Sequence, residues 1–399
     1  MATRNWLGNA LAIPEIYTIT VGGTWVAGET LTLTINGKSV VLTIGTTVTT
    51  TEVATQIANV WNGSTLGTAY TANVFGSAVG EFTESTAVAA SSVVTITGDT
   101  AGVPFSMSVS ETSTSGTLTL NNAQDATGPN HWTNTANWSG GSLPVDSDDV
   151  VIDRPVSILY GLDQSSVQPA SLLISSRFTG QIGLPFRNAN GYEEYRDTHL
   201  KIGPTTITSS GASSRIKINT GTDQTALTVT TTASASETGR AAFQFIGTNA
   251  SNTVTVLGGD VGIAANSGES ATVATLIQAG GTVTCGGGAT LTTVRKQAGT
   301  LNIASATTTL VSDAGATTVS AGAHASITSN GGTLAYTGTG TLTALVANNS
   351  ASVNFDGTTA GVTVTNATVA DSASLIDTSD RVTFTNPIVW RGRLQVQPS

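Results

Sequence analysis

From about Ala126 to the C-terminus the chain is a succession of apolar runs only three to five residues long, recurring roughly every eight to eleven residues and bracketed by Gly, Asn, Asp or Ser. Gly281-Thr-Val-Thr284, Ala289-Thr-Leu-Thr292, Gly299-Thr-Leu-Asn-Ile303, Gly332-Thr-Leu334, Gly361-Val-Thr-Val364 and Ser374-Leu-Ile376 carry the pattern, most often as small-Thr-aliphatic-Thr. Helical periodicity is absent over this whole length. Runs so short suit the coils of a parallel β-helix, where each strand stacks on its equivalent one turn later and an inward aliphatic residue joins an interior column. The spacing implies two or three strands per coil of roughly twenty residues. A many-stranded antiparallel sandwich is the alternative, because hairpins give the same spacing. The repeat is irregular, so the coil register stays open, and with it every inward or outward assignment.

Residues 1–125 have a different character. Ile16-Tyr-Thr-Ile-Thr-Val21 and Thr30-Leu-Thr-Leu-Thr-Ile35 alternate apolar and polar residues, and Asn36-Gly37 then leads into Ser39-Val-Val-Leu-Thr-Ile44. Asn-Gly between two such runs predicts a tight hairpin, since both turn residues accept φ > 0. One helix is predicted from Thr50 to about Asn62, with Val53, Ile57, Val60 and Trp61 on one face, Thr49 and Glu52 as a capping box, and Gly63 as C-cap. Strands resume at Val93–Thr97 and Phe105–Val109. The predicted fold class is therefore mainly β: a small N-terminal α+β domain over 1–125, a sheet plus one helix, followed by a right-handed parallel β-helix over 126–399.

Composition narrows the function. Only 10% of residues are charged, 44 are Gly, and the net charge is −10. With no cluster of Lys and Arg to meet phosphates, nucleic acid is not the expected partner. Cys285 is the single cysteine, so no intrachain disulfide is available and stability must come from burial and backbone hydrogen bonds. The opening Met1-Ala-Thr-Arg-Asn-Trp-Leu-Gly8 has no apolar run of signal-peptide length, and no transmembrane span is apparent. A chain made in the cytoplasm yet composed like an extracellular adhesin fits a virion component released by lysis.

Chemistry-bearing motifs are few. His131-Trp132 through Trp138-Ser-Gly-Gly141, followed by Asp146-Ser-Asp148-Asp149, marks the join between the two parts. It resembles the opening of β-helical passenger and surface proteins, and its two Trp residues can cap the open end of a solenoid core. The acids of 146–149 lack the loop spacing of a Ca²⁺ site, and a solvated turn is preferred. Gly191-Tyr-Glu193-Glu194-Tyr195-Arg196-Asp197 is the densest polar cluster and the first place to look for the paired carboxylates of glycoside hydrolysis. Neighbours on a strand point to opposite faces, however, so Glu193 and Glu194 are not such a pair by themselves. His131, His199 and His324 sit in no metal or nucleophile motif, and Gly286-Gly-Gly288 leads into no helix that would cradle a phosphate. No catalytic residue, metal or cofactor is expected.

The stretch from Ile19 through Gly23-Thr-Trp25, Ala27-Gly-Glu29, Ile35-Asn-Gly-Lys38, the helix ending at Trp61 and Thr100-Ala-Gly-Val-Pro-Phe105 resembles a small domain of tailed-bacteriophage virion proteins. Gly128-Pro-Asn-His-Trp132, Tyr160-Gly-Leu-Asp-Gln164, Ile182-Gly-Leu-Pro185 and Tyr195–Gly203 extend the resemblance over roughly the first half of the chain; the rest is similar only to β-helices in general. The resemblance implies a place on the virion. As a capsid decoration or cement protein the chain would form a homotrimer and seat one end on the major capsid protein or other virion proteins, stabilising the lattice by binding only its assembled form. As a tail fibre or tailspike it would bind a host surface glycan along the side of the solenoid. The absence of a long stalk, a carboxylate pair or a coiled coil favours the first. A secreted bacterial adhesin needs export and anchoring, and a polysaccharide-degrading enzyme needs convergent acids; neither feature is evident. The candidate interface residues are Trp25, Trp132, Trp138, Phe186, Tyr192, Tyr195, Trp390, Arg391 and Arg393, aromatic and Arg side chains of the kind interfaces favour. Trp390 serves equally well as a cap on the last coil.

Overall fold

The computed structural model describes residues 2–188, 191–211, 215–232, 237, 239–370 and 372–391. The fold class is the one the sequence leads us to expect, mainly β with a single α-helix, a small sheet domain and a parallel β-solenoid of about 12 turns. Two compact units account for the chain: Gly8–Asn137 with Pro185–Asp197, and a solenoid unit comprising the chain before Gly8, Trp138–Leu184 and the chain from Thr198 on. This division differs from the sequence boundary at 125/126. The strand Thr3–Asn5 is the first rung of the solenoid, pairing in parallel with the strand Asp149–Ile152 through Thr3 and Asp149. A strand of three residues whose partner lies beyond an entire domain carries no periodic signal that would place it there.

In the small unit, two four-stranded antiparallel sheets form from the strands anticipated and several others. Thr30–Ile35 and Lys38–Ile44 make the predicted hairpin, with Asn36 and Gly37 at φ of 50° and 79°. The last predicted strand begins slightly later than expected, at Met107–Glu111, and pairs with Thr30–Ile35. The helix α1 (Thr50–Asn62) has both parts of the capping box: the Glu52 amide donates to Thr49 Oγ1 at 3.2 Å, and the Thr49 amide donates to the Glu52 carboxylate at 2.7 Å. Gly63 ends it in the left-handed region. Its buried face, Val53, Ile57, Val60 and Trp61, joins Ile19, Leu31, Leu33, Val40 and Leu42 in one core.

The solenoid is built on two long parallel sheets. Register, which the sequence leaves open, is fixed by a column of inward aliphatics in which Val150, Leu172, Ile207, Leu227, Val254, Leu276, Val294, Leu310, Ile327 and Leu345 succeed one another as direct cross-rung partners. All are essentially buried. On the second sheet the equivalent column runs Ile216, Phe243, Val261, Val283 and Leu301. Thr206 lies beside Ala226 and Thr253 beside Thr275, close to the roughly twenty residues per coil expected, while the coils from Thr282 to Thr333 are slightly tighter and the one from Ser171 to Thr206 is longer. Rungs in such a stack lie about 4.8 Å apart, and each apolar side chain touches its own kind above and below.

One inward column is polar. Gln278, Lys296, Ser312 and Ser329 succeed one another in register and are all fully buried. Backbone and hydroxyl partners satisfy part of it: the Gln278 amide donates to the carbonyls of Gly281 and Thr300 at 3.0 and 2.9 Å, Lys296 donates to the Ala314 carbonyl, and the hydroxyls of Ser312 and Thr317 are 3.0 Å apart, while Gln278 Oε1 and Ser329 Oγ have no partner.

At one corner of the coils a column of glycines turns the chain. Gly281, Gly299, Gly315 and Gly332 all have φ between 70° and 85°, and a Cβ on Gly299 would lie 2.2 Å from the carbonyl oxygen of Gly281. The conformation and the stacking distance both demand glycine there.

Candidate functional site

Within the small unit, residues 185–188 lie against residues 191–197. Glu194 N–H donates to the Phe186 carbonyl at 2.8 Å, and Asn188 N–H donates to the Tyr192 carbonyl at 2.8 Å. Alternation then separates the two acids, as expected of neighbours on an extended strand. Glu194 turns inward and grips Arg196 through two bonds of 2.9 Å, from Nε and Nη2, while Arg196 Nη1 donates to the Pro104 carbonyl at 3.0 Å. Glu193 turns outward and is exposed.

On that outward side lies a cleft of about 380 Å³ lined by Asn36, Gly37, Lys38, Glu81, Arg187, Asn188, Gly191, Tyr192 and Glu193. The hairpin turn at Asn36-Gly37 delivers Lys38, whose Nζ sits 3.9 Å from the centroid of the Tyr192 ring. Arg187 Nη1 donates to the Gly191 carbonyl at 2.8 Å, and the Asn188 side chain accepts from the Tyr192 amide at 3.1 Å. Lys38 thus sits over the ring of Tyr192, whose backbone amide is tied to Asn188, and the residue is 42% exposed. Glu81 is almost wholly buried, and its Oε2 has no hydrogen-bond partner. Two cationic and two anionic side chains therefore line one cleft beside a fixed aromatic ring.

The other candidates fall in different places. Trp25 is fully buried in the small unit, its indole N–H bonded to the Gly22 carbonyl at 3.0 Å. Trp132 is fully buried in the same unit and Trp138 in the solenoid unit, so these three offer no surface to a partner. The pair at the solenoid's first rung is Trp6 and Trp138, not Trp132 and Trp138, because the chain passes from one unit to the other between Asn137 and Trp138. Phe186 is half-buried, and Tyr195 is 38% exposed. Burial nevertheless pushes the Tyr195 hydroxyl up to about 12. Trp390 and Arg391, on the strand Val389–Arg391, are exposed. Arg393 lies outside the described residues.

The acids of 146–149 are taken up by internal bonds. Asp148 is buried against Arg4 at 3.1 Å and accepts the Ala2 amide at 2.7 Å, which with the guanidinium holds its carboxyl below the usual range. Asp146 accepts the Gln168 amide at 2.8 Å, and Asp149 the Ser171 hydroxyl at 2.5 Å. Among the described residues no group of three or more acidic, His or Cys side chains is placed to hold a metal ion.

One cluster escapes sequence reasoning. On the outer face of the second sheet, Arg215, Lys217 and Gln244 are buried although alternation points them outward. Glu237 lies 3.3 Å from Lys217 Nζ, 3.7 Å from Arg215 Nη1 and 3.7 Å from Arg240 Nε. His199 Nε2 lies 3.7 Å from Glu269, whose carboxylate takes up the side-chain and backbone N–H groups of Asn266 at 2.7 and 3.0 Å. Burial, with Lys217 and Arg240 nearby, pulls the His199 imidazole down to about 3. The charges of Arg215-Ile-Lys217 were the available signal, but nothing in the sequence says that this stretch of outer face is covered. The mutual pairing makes it an internal staple and not an open site.

Compared with protein-family models, the chain matches none, and the search of curated proteins gave no match either.

Proposed function

We propose that this chain is a non-enzymatic structural protein of a virion, a capsid decoration or cement protein that acts as a homotrimer bound to the assembled shell. The observation that carries the reading is one row of outward residues on the first solenoid sheet. Thr206, Ala226, Thr253, Thr275, Thr293, Thr309, Ser326 and Ala344 follow one another there as direct cross-rung partners. Side chains this short let another surface approach the sheet backbone closely along this row, although the adjacent outward row carries Ile277, Arg295 and Val311. A protein that binds only the assembled lattice stabilises it by mass action, without catalysis. The resemblance of the first half to tailed-phage virion proteins points the same way.

The cleft of the small unit favours a second reading, a tail fibre or tailspike that binds a host surface glycan. The number of copies per particle, measured by quantitative mass spectrometry against the major capsid protein, separates the two. A decoration protein is present in numbers comparable to the shell protein; a fibre is present as a small multiple of the tail's symmetry.

A further inference from the structure

We infer that the cleft lined by the Asn36–Lys38 turn, Arg187, Asn188 and Gly191–Glu193 is a binding site for a neutral saccharide, with the Glu81 carboxylate accepting a ligand hydroxyl and the Tyr192 ring packing against the sugar. This rests on the geometry of the small unit and not on the chain's place in a virion.

Glu81 is the anchor of the inference. It is 1% exposed, it lines the cleft, and its Oε2 has no hydrogen-bond partner. A carboxylate oxygen removed from water without a donor is costly, and a donor arriving with a ligand in the cleft it lines would supply the missing bond. The surrounding residues define that ligand. Lys38 and Arg187 balance Glu81 and Glu193, so the lining favours neither a phosphate nor a carboxylated ligand. Ammonium, guanidinium and amide groups donate, carboxylates and amide oxygens accept, and a polyhydroxylated ring does both at each hydroxyl. Tyr192 adds a rigid apolar surface, set in place by Lys38 on its ring and by the Asn188 side chain on its amide. A cleft of about 380 Å³ admits one or two sugar rings.

The test is an array of neutral and acidic oligosaccharides probed with the full chain, followed by calorimetric titration of the strongest ligand. Wild type, Glu81→Gln, Tyr192→Ala and Trp390→Ala are compared, the last as an exposed aromatic outside the cleft. The expected result is binding to neutral glycans, weakened about tenfold or more by Glu81→Gln and by Tyr192→Ala and unchanged by Trp390→Ala. Tyr192 is partly exposed, so its variant folds even if Glu81→Gln does not. No array binding by wild type, binding confined to acidic glycans, or undiminished binding by the Tyr192 variant overturns the proposal.

Discussion

The indole rings of Trp6 and Trp138 meet edge to face, with centroids 5.1 Å apart and planes at 69°. The two residues stand at the points where the chain leaves the solenoid unit after its first rung and re-enters it. Trp6 Nε1 donates to the Val156 carbonyl at 2.8 Å, so the ring is held in orientation as well as buried. Trp6→Ala is expected to cost about 3–5 kcal/mol in urea unfolding. Trp138→Ala should cost a similar amount, and the double variant should lose less than the sum, because the two rings share one contact.

A glycine of the corner column and one outside it give a graded comparison. Gly268 has φ of 80° with open space around its would-be Cβ, whereas Gly299 has φ of 85° with the Gly281 carbonyl oxygen 2.2 Å from that position. Gly268→Ala should cost about 1–2 kcal/mol, the strain of a left-handed L residue. Gly299→Ala adds a clash with backbone that cannot move independently of the stack, and its loss should reach about 3 kcal/mol or more. Thermal unfolding of the two variants distinguishes them.

Acid should weaken the fold through its histidines. Burial lowers the pKa of all three imidazoles, that of His199 to about 3. Each is neutral in the folded chain, while an unfolded imidazole takes up a proton below 6.5. The stability these groups contribute is therefore present above pH 6.5 and is lost as pH falls toward 3. Urea midpoints measured across that window should fall, and His199→Gln should flatten the slope.

Cys285 is fully buried in an inward column between Ile263 and Ile303, and burial pushes its thiol up to about 12. It should resist alkylation by iodoacetamide in buffer at pH 8 and react once urea unfolds the chain, since the thiolate is the reactive form. Rapid labelling of the native protein would contradict the packing described.

Local signals were legible wherever neighbours in sequence supply the partners. The Asn36-Gly37 hairpin, the Thr49 and Gly63 caps and the burial of Cys285 all follow from residues within a few positions of one another. The short runs also revealed the solenoid, because each coil repeats the same burial. Register and the first rung were not legible, since Thr3 pairs with Asp149 across an intervening domain. Much the same holds for the cleft. Tyr192 stood out as an aromatic in a polar cluster, but Lys38 and Glu81 join its cleft only through the fold of the small unit, and no spacing in the sequence announces them. Trp25, Trp132 and Trp138 show the converse: residue type suggested interfaces, and burial made them core.

The most direct test of the central claim is the position of the chain in purified particles, read by electron microscopy with an epitope added at the C-terminus. The account predicts label distributed over the capsid shell. Label confined to the tail tip would contradict the decoration reading in favour of a fibre, and particles without label would contradict a virion role altogether.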